Sequence, residues 1–324
     1  MISHKTASHR RKKSLFQGFT IIELMVSLVI IGILLAIIVP AIQQALEAAR
    51  RTTCKNNLHQ IGAAISDYDS QHGIFPHGAS GTPDGETNFS FLVLILPQME
   101  QEAIYKRLLR SKGFAARQWA RETLVNAFVC PSDSETIQRA PRTMGANYAG
   151  NFGTGVQKFG YNGVFLPAAG SEQSRDGSVR SRDIKDGLSN TAMVSEILTS
   201  GGSNSRLRLL WRTEKFLGAP DQLEEFAAAC ALVGNGPRDP RSGGRGRPWI
   251  NGFVNVNFYN HILTPNQPSC TNGGAGQEGA YTATSQHFGG VNVLYADGTV
   301  KFTSETINLE VWRAAGSRNG GEYD

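Results

Sequence analysis

The sequence lacks the short motifs that mark common enzyme families. It contains no G-x-S-x-G, no H-E-x-x-H and no Walker A lysine loop, which argues against a serine hydrolase, a zinc protease and a nucleotide hydrolase. It has only four cysteines, none of them in a C-x-x-C pair, so a zinc site of the common spacing is not expected. These absences predict a protein that is not an enzyme and has no resident cofactor.

Acidic residues are missing from the N-terminus, where basic residues are concentrated. Five of the 32 Lys and Arg precede Gly18, and no Asp or Glu precedes Glu23. The other 27 Lys and Arg equal the 27 Asp and Glu in number, so the rest of the chain is formally neutral. We therefore interpret residues 1–18 as a basic leader peptide, and the positive net charge does not predict nucleic-acid binding.

A long apolar run follows this leader. Residues 24–42 contain no charged side chain, and a helix of roughly twenty such residues is long enough to cross a bilayer. The excess of Lys and Arg before the run predicts that its N-terminal side stays in the cytoplasm. Everything after about residue 43 is then expected to be exported. A cleaved secretory signal and a simple membrane anchor are the alternatives.

The helical pattern does not stop where the apolar run stops, as it would after a secretory signal. Apolar residues recur at helical spacing from Leu46 to Tyr68 among polar neighbours. The sequence therefore predicts one continuous helix over residues 19–70. Its membrane half comprises residues 19–42, and its amphipathic half comprises residues 43–70.

Glu23 is the one charged residue in the membrane half of this helix. A carboxylate there costs on the order of 2.5–3.5 kcal/mol on insertion scales, so a positive partner is expected. Residues 19–49 contain no Lys or Arg. Cleavage between Gly18 and Phe19 would create a new α-ammonium group, which could neutralise Glu23 of a neighbouring subunit and fix the axial register. The alternative is a carboxylate that reaches the membrane interface.

The segment GFTIIE (residues 18–23), which opens this apolar helix, resembles the processing site of type IV prepilins and type II secretion pseudopilins. The resemblance implies that a prepilin peptidase cuts after Gly18 and N-methylates Phe19. It also implies that the apolar helices of many subunits pack at the centre of a filament. The expected partners are the peptidase, other pilin-like subunits, the secretion machinery and the membrane, with no nucleic acid.

A second resemblance covers nearly the whole chain. It is carried by stretches at residues 54–76, 128–133, 183–196, 249–270, 285–302 and 311–322. In this order they resemble prepilin-like proteins with an H-x9-DG signature near the C-terminus, catalogued as domain of unknown function 1559 and also labelled solute-binding-like. His287 and the Asp297-Gly298 pair fit that signature. The resemblance implies an architecture more than an activity.

The exported portion, residues 71–324, is predicted to be β-rich with many loops. Apolar residues alternate on both sides of Asp297-Gly298, which is typical of a β-hairpin. Helical spacing appears at Leu96–Leu109 and at Ala116–Phe128. The predicted fold class is α+β, with the long N-terminal helix packed on a β-rich globular domain.

All four cysteines lie in the exported portion, where disulfides persist. Several pairings are possible. We favour Cys54 with Cys130, which would tie the helix to the globular domain, together with Cys230 and Cys270, which would close an Arg/Gly-rich loop. Four buried free thiols are the alternative.

Other polar residues are weaker candidates for a site. His287 is expected to bond the backbone before the hairpin, or to form a ligand or ion site with Asp297. The oxygen-rich stretch Asp183–Thr191 could bind calcium, although a network of Asx turns explains the same residues. The arginine-rich stretch Arg238–Trp249 is expected to be a solvated loop rather than a nucleic-acid contact.

Together these features predict a pilin- or pseudopilin-like exported structural subunit. It would be anchored in the inner membrane with its N-terminus in the cytoplasm, and its globular domain would lie in the periplasm or, after assembly, at the cell surface. The alternative is a membrane-anchored module that binds a glycan or another solute outside the cytoplasm. An exported hydrolase would need converging acid, base or nucleophile, which the sequence does not display.

Overall fold

A computed structural model of the chain describes residues 20–81, 88–135, 143–154, 162–166, 178–200, 205–215, 220–233, 236–239, 244–272 and 279–320. The chain divides into two compact units, Met1–Ala48 and Ala49–Asp324. We describe each unit by itself.

The first element is an α-helix of 52 residues from Ile21 to His72. Its first part belongs to the N-terminal unit, and large apolar side chains on every side of it are exposed. From Cys54 onwards one face becomes buried in the second unit. The buried positions are Cys54, Asn57, Leu58, Ile61, Gly62, Ala64 and Ile65. Their spacing of three and four residues is that of an amphipathic helix.

The other elements of the second unit are short. The α-helices are Phe91–Leu94, Glu102–Arg110, Gly113–Ala116, Gln118–Glu122, Leu223–Leu232, Val254–Asn257 and Leu309–Gly316. The strands are β1 (Ala79–Gly81), β2 (Asn88–Ser90), β3 (Tyr148–Asn151), β4 (Ala192–Glu196), β5 (Leu210–Arg212), β6 (Phe258–Tyr259), β7 (Ser269–Thr271), β8 (Gly279–Ala280), β9 (Gly290–Tyr295) and β10 (Val300–Ser304).

The main sheet has five strands in the order β10-β9-β4-β3-β6. Its pairs are antiparallel except for the parallel pair of β3 and β6. β9 and β10 form the hairpin that the sequence predicted, with Val300 opposite Leu294. Gly298 turns the chain there at a φ of 85°, a left-handed conformation that favours glycine. Two smaller sheets are also present among the described residues. One pairs β1 with β2, and the other has the strand order β5-β7-β8.

The amphipathic half of the N-terminal helix packs directly on this sheet. Ile61 and Ile65 share one buried cluster with Val194 of β4 and Leu294 of β9. A Cβ atom built at Gly62 would lie only 2.8 Å from Cδ1 of Leu294, so the helix backbone approaches β9 closely at this glycine. A long helix packed on a β-rich domain is the α+β fold class that the sequence predicted.

The two helices predicted around residues 96–128 are interrupted. The first begins only at Glu102, after a 3-10 turn at Pro97–Met99. The second is broken into short helices at Gly113–Ala116 and Gln118–Glu122, and a distant side chain binds carbonyl groups where the second of these ends. The buried indole N–H of Trp249 donates to the carbonyl oxygens of Ala120 at 3.1 Å and Thr123 at 3.0 Å.

The arginine-rich stretch Arg238–Trp249 is only in part the solvated loop that its composition predicted: Arg238 is exposed, residues 240–243 lie outside the described residues, and the segment from residue 245 onwards is buried. Arg245 and Arg247 are buried. Arg245 donates to the carbonyl oxygens of Phe258 and Thr282, and burial lowers the pKa of its guanidinium to about 10. A guanidinium offers five donors in a fixed geometry, so it can satisfy carbonyl groups from two segments at once. These arginines therefore belong to the interior rather than to a binding surface.

A buried histidine joins the helix Leu309–Gly316 to the segment after β6. The ring of His261 is fully buried and stacks on the ring of Trp312, with centroids 3.9 Å apart. Its Nδ1 lies 2.6 Å from the carbonyl oxygen of Trp312, and its Nε2 lies 3.3 Å from the hydroxyl of Tyr259. Burial lowers the pKa of His261 to about 3 despite the Trp312 carbonyl. The ring is therefore neutral in the folded protein, with its proton on Nδ1.

We predict that His261 makes the folded state sensitive to acid. Between about pH 3 and pH 6.5 the unfolded chain binds a proton here that the folded chain does not. The free energy of unfolding therefore falls as the pH is lowered through this window, by about 1.4 kcal/mol per pH unit at most. Denaturant unfolding at several pH values should show a smaller pH slope for His261→Asn than for the wild type. An unchanged slope, equal to that of the exposed-site control His72→Asn, would contradict the prediction.

Candidate functional site

The N-terminal helix opens with a reciprocal pair of hydrogen bonds. The backbone N–H and the hydroxyl of Thr20 donate to Oε2 of Glu23, at 3.0 and 2.9 Å. The backbone N–H of Glu23 lies 3.2 Å from Oγ1 of Thr20. This T-x-x-E arrangement is a capping box, which satisfies backbone donors that the first turn of a helix leaves free. Glu23 thus has a local structural role that its position in an apolar run did not indicate.

The segment after Glu23 presents apolar side chains in all directions. Between Ile21 and Leu46 the large apolar residues are exposed, with fractions from 46% at Ile38 to 78% at Ile21. The helix is long and apolar enough to cross a membrane by length and composition. Residues 21–42 would span about 33 Å at 1.5 Å per residue, close to the thickness of a bilayer core. Such a surface needs lipid or other apolar helices to cover it.

The predicted processing residues, Gly18 and Phe19, lie outside the described residues. Within the described part of the N-terminal unit, residues 20–48, no Lys or Arg accompanies Glu23. The capping box gives its carboxylate hydrogen bonds but no opposite charge. Any counter-charge for Glu23 would therefore have to come from outside residues 20–48.

A second cluster of chemistry-bearing side chains lies inside the globular unit. Cys54 of the long helix is joined to Cys130 in a disulfide. Nε2 of His287 lies 3.8 Å from Sγ of Cys130 and 3.3 Å from Oε1 of Glu196. All four side chains are buried, and their sulfur, nitrogen and oxygen atoms lie within 4.8 Å of one another.

Asn292 of β9 holds the carboxylate of Glu196 in place. Its backbone N–H donates to Oε2 at 2.8 Å, and its side-chain amide donates to Oε1 at 3.0 Å. Glu196 is the last residue of β4, and β4 pairs with β9, so the sheet itself brings these groups together. Nearby, the hydroxyl of Tyr148 donates to the carbonyl oxygen of Cys54 at 3.2 Å. Burial, and then the charge of Glu196, raise the pKa of that hydroxyl well above its usual range.

The structure does not bring His287 and Asp297 into one site. His287 precedes β9 and is buried, whereas Asp297 follows β9 in the hairpin turn. Oδ1 of Asp297 accepts hydrogen bonds from the backbone N–H and the hydroxyl of Thr299, at 2.9 and 2.7 Å. The two ends of the H-x9-DG signature therefore do different work. Asp297 and Gly298 shape the turn, while His287 contacts a carboxylate and a disulfide.

Sequence reasoning missed Glu196 as the partner of His287. A carboxylate at the end of the apolar segment TAMVSE is a signal that could have marked it, because a buried acid needs a partner. The pairing could not have been located from spacing, since the two residues are far apart in the chain. Only the pairing of β4 with β9 makes them neighbours.

A shallow groove runs between the amphipathic half of the long helix and the hairpin turn. Its volume is about 500 Å³, and its polar lining includes His59, Asp69, Ser181 and Asp297. Ser181 donates to Oδ2 of Asp69 at 2.6 Å, so part of this lining is already occupied by internal hydrogen bonds. The groove is a described concave surface of the globular unit that has polar groups in its lining.

Residues 183–191, the stretch considered for calcium, use their oxygens in local turns. Oδ2 of Asp183 accepts from the backbone N–H of Arg180 at 2.9 Å. The side-chain amide of Asn190 donates to the carbonyl oxygen of Asp186 at 3.0 Å. The hydroxyl of Thr191 donates to the carbonyl oxygen of Gly187 at 3.2 Å. These contacts are local hydrogen bonds of a turn-rich segment, and only that of Asp183 uses a carboxylate.

Parts of the chain match two known sequence families. Residues 43–310 match the family described as "Protein of unknown function (DUF1559)", and residues 13–39 match the "Prokaryotic N-terminal methylation motif". The chain belongs to the DUF1559 family, and it carries the prokaryotic methylation motif at its N-terminus. The two resemblances seen in the sequence are thus confirmed.

Curated relatives resemble the N-terminal part of the chain. Type II secretion system core protein G of Pseudomonas aeruginosa is 38% identical over 72 residues, which cover 22% of this chain and 49% of that protein. Fimbrial protein EcpC of Eikenella corrodens is 39% identical over 64 residues, which cover 20% of this chain and 42% of that protein. The chain therefore spans half or less of these relatives. No solved structure matches it.

We predict that the exported protein, purified without reductant, contains the two disulfides of the structure. They join Cys54 to Cys130 and Cys230 to Cys270. Peptide mapping under non-reducing conditions should recover both linked peptide pairs, and alkylation of the unfolded protein should label no thiol. Loss of such a bridge typically costs about 2–5 kcal/mol in small exported domains. Other pairings, or four alkylated thiols, would refute the prediction.

Proposed function

We propose that the chain is a pilin-like structural subunit that is exported through a type IV pilus or type II secretion-like machine. The observation that carries the proposal is the helix of residues 21–48, which exposes apolar side chains on all sides and overlaps the methylation motif matched at residues 13–39. A helix that only anchors a domain needs lipid alone. A helix preceded by a processing site and opened by an isolated carboxylate suits burial among its own copies.

In this proposal the leader stays in the cytoplasm, the apolar half crosses the inner membrane once, and the globular unit faces the periplasm. The basic residues before Gly18 and their absence from residues 19–49 support this orientation. A prepilin peptidase then cuts after Gly18 and methylates the new N-terminus at Phe19. Other pilin-like subunits and the secretion machinery are the partners, and the chain acts as a building unit rather than as a catalyst.

Glu23 has two jobs in this proposal. Before assembly its carboxylate caps the helix through Thr20. In the assembled state the α-ammonium group of Phe19 from a neighbouring subunit supplies the counter-charge that residues 20–48 lack. An ion pair in a water-poor core is position-specific, because a shifted register leaves both charges unpaired. It would therefore set how far one subunit rises above the next.

We predict that the mature chain begins at N-methylated Phe19. Intact-mass and N-terminal peptide analysis of protein from the native host should find this residue first, and Gly18→Ala should leave an uncut precursor in the membrane. Recovery of an N-terminus beyond Ala41 would mean ordinary signal-peptide cleavage and would contradict the pilin proposal.

We predict that the charge of Glu23 matters for assembly and that its cap does not. Glu23→Gln keeps a side-chain oxygen that can accept from Thr20, but it removes the charge. It should be processed and folded yet fail to enter filaments, because breaking a buried pair costs several kcal/mol. Thr20→Val, the matched control, removes the hydroxyl and keeps the charge, so it should assemble. The readout is the amount of subunit in sheared surface filaments.

Two outcomes would count against this account. Equal loss of assembly in both variants would assign the effect to the capping box. Wild-type assembly of Glu23→Gln would remove the charge pair from the mechanism. In the second case, and above all if no filament contains the wild-type protein, the better description is a membrane-anchored module that binds a solute or glycan. The groove lined by His59, Asp69 and Asp297 is the observation that favours that second candidate.

A further inference from the structure

The two disulfides of the globular unit have different surroundings. The sulfurs of Cys230 and Cys270 lie in an apolar cluster with residues such as Trp211 and Phe226. The Cys54–Cys130 bridge instead adjoins an imidazole and a carboxylate that are both buried. Burying those two polar groups is costly unless they are paired, and a disulfide does not require them. The cluster therefore calls for a role that a bridge alone does not explain.

The four side chains are the ligand types of a soft-metal site. Two cysteine sulfurs, an imidazole nitrogen and a carboxylate oxygen are donors that Zn²⁺ accepts, and soft sulfur ligands favour zinc over magnesium or calcium. They come from four separate places, which are the long helix, the segment after the 3-10 turn at Asn126–Phe128, the end of β4 and the loop before β9. The described residues contain no other group of this kind with three or more such ligands.

The distances within the cluster suit a tetrahedral ion. Metal–ligand bonds of 2.0–2.3 Å at tetrahedral angles place neighbouring ligand atoms about 3.3–3.8 Å apart. Nε2 of His287 lies 3.3 Å from Oε1 of Glu196 and 3.8 Å from Sγ of Cys130. The largest separation among the four ligand atoms is 4.8 Å or less. Once the bridge is open, the two sulfurs would move apart to complete the tetrahedron.

The carboxylate is oriented as metal ligands usually are. Asn292 donates to both oxygens of Glu196, one through its backbone and the other through its side chain. Outer groups of this kind fix the orientation of a ligand and tune its affinity. Because β9 supplies Asn292 and β4 supplies Glu196, the orientation is built into the sheet and does not depend on the state of the cysteines.

We propose that, when the Cys54–Cys130 bridge is reduced, Cys54, Cys130, Glu196 and His287 bind one divalent cation of the zinc class. The disulfide and the metal complex are then two alternative states of one site. Both states tie the N-terminal helix to the sheet. The inference does not depend on whether the subunit assembles into filaments.

The change of state balances with a dithiol as the reductant. Two electrons and two protons pass from the dithiol to the bridge, which becomes two thiols while the dithiol becomes a disulfide. The cation then displaces the two thiol protons, and both sulfurs coordinate as thiolates. His287 coordinates through Nε2 and keeps its proton on Nδ1, and Glu196 coordinates through Oε1. Metal affinity should therefore increase with pH.

The test uses the full chain in detergent, reduced with a phosphine in the absence of oxygen, with Co²⁺ as the probe. A tetrahedral thiolate site gives Co²⁺ strong visible absorption and a sulfur-to-cobalt charge-transfer band. We expect a single equivalent of Co²⁺ to bind in this way and to be displaced by Zn²⁺. The oxidised protein should not produce the spectrum.

The second cysteine pair provides the matched control. The double variant Cys230→Ser/Cys270→Ser should keep the cobalt spectrum, whereas Cys54→Ser/Cys130→Ser should lose it. Asn292→Ala leaves all four ligands in place and should weaken binding by about 10–100-fold, as loss of an outer partner does. Tryptophan fluorescence, which reports on the globular unit through all four tryptophans, checks that each variant is folded.

Glu196→Gln and His287→Ala keep both cysteines and decide the case if the cysteine variants do not fold. Each should weaken Co²⁺ binding by more than tenfold and change its spectrum. Reduced wild-type protein without a tetrahedral spectrum would overturn the proposal. A spectrum that survives Cys54→Ser/Cys130→Ser would also overturn it, as would one that neither Glu196→Gln nor His287→Ala alters, since thiols alone would then hold the metal.

Discussion

The rest of the chain does not cover a helix that exposes apolar side chains on every side. Residues 21–48 bury none of their large apolar side chains in the protein, and at about 25 cal/mol per Å² such a surface is strongly disfavoured in water. Lipid covers it in the membrane, and other helices of the same kind would cover it in a filament. This one requirement gives a common explanation for the processing motif, the formal neutrality of the rest of the chain and the position of Glu23.

The same helix changes character without interruption when it enters the globular unit. From Cys54 onwards its apolar residues recur on one face only, and they form a single core with β4 and β9. A single helix thus has exposed apolar side chains in its first part and one buried face in its second part. The pattern of apolar residues indicates such a change at about residue 43, and burial in the structure begins at Cys54.

The sequence predicted those parts of the structure that depend on neighbours in the chain. The long helix, the hairpin at Asp297-Gly298 and the α+β class follow from local spacing and turn chemistry. The predictions from the sequence failed where the local structure depends on contacts with residues far away in the chain. The predicted helix around residues 116–128 is interrupted, and the indole of Trp249 binds the carbonyl oxygens of Ala120 and Thr123 there, a contact that no pattern in that segment indicates.

Long-range partners explain the other errors as well. A stretch rich in Arg and Gly has the composition of a solvated loop, yet Arg245 is buried because Phe258 and Thr282 offer it carbonyl groups. His287 stands out in the sequence as a candidate, but its contact with Glu196 depends on the pairing of two strands that lie far apart in the sequence. Buried polar groups are specified by the whole fold, and local patterns therefore describe them poorly.

The position of the Cys54–Cys130 bridge has a mechanical consequence. Cys54 is the first buried residue of the long helix when the helix is followed from its N-terminus. A pull on the apolar half therefore reaches a covalent link to the domain before it reaches the non-covalent contacts at Leu58 and Ile61. The load passes into the body of the domain at Cys130, and the helix cannot peel from the sheet turn by turn.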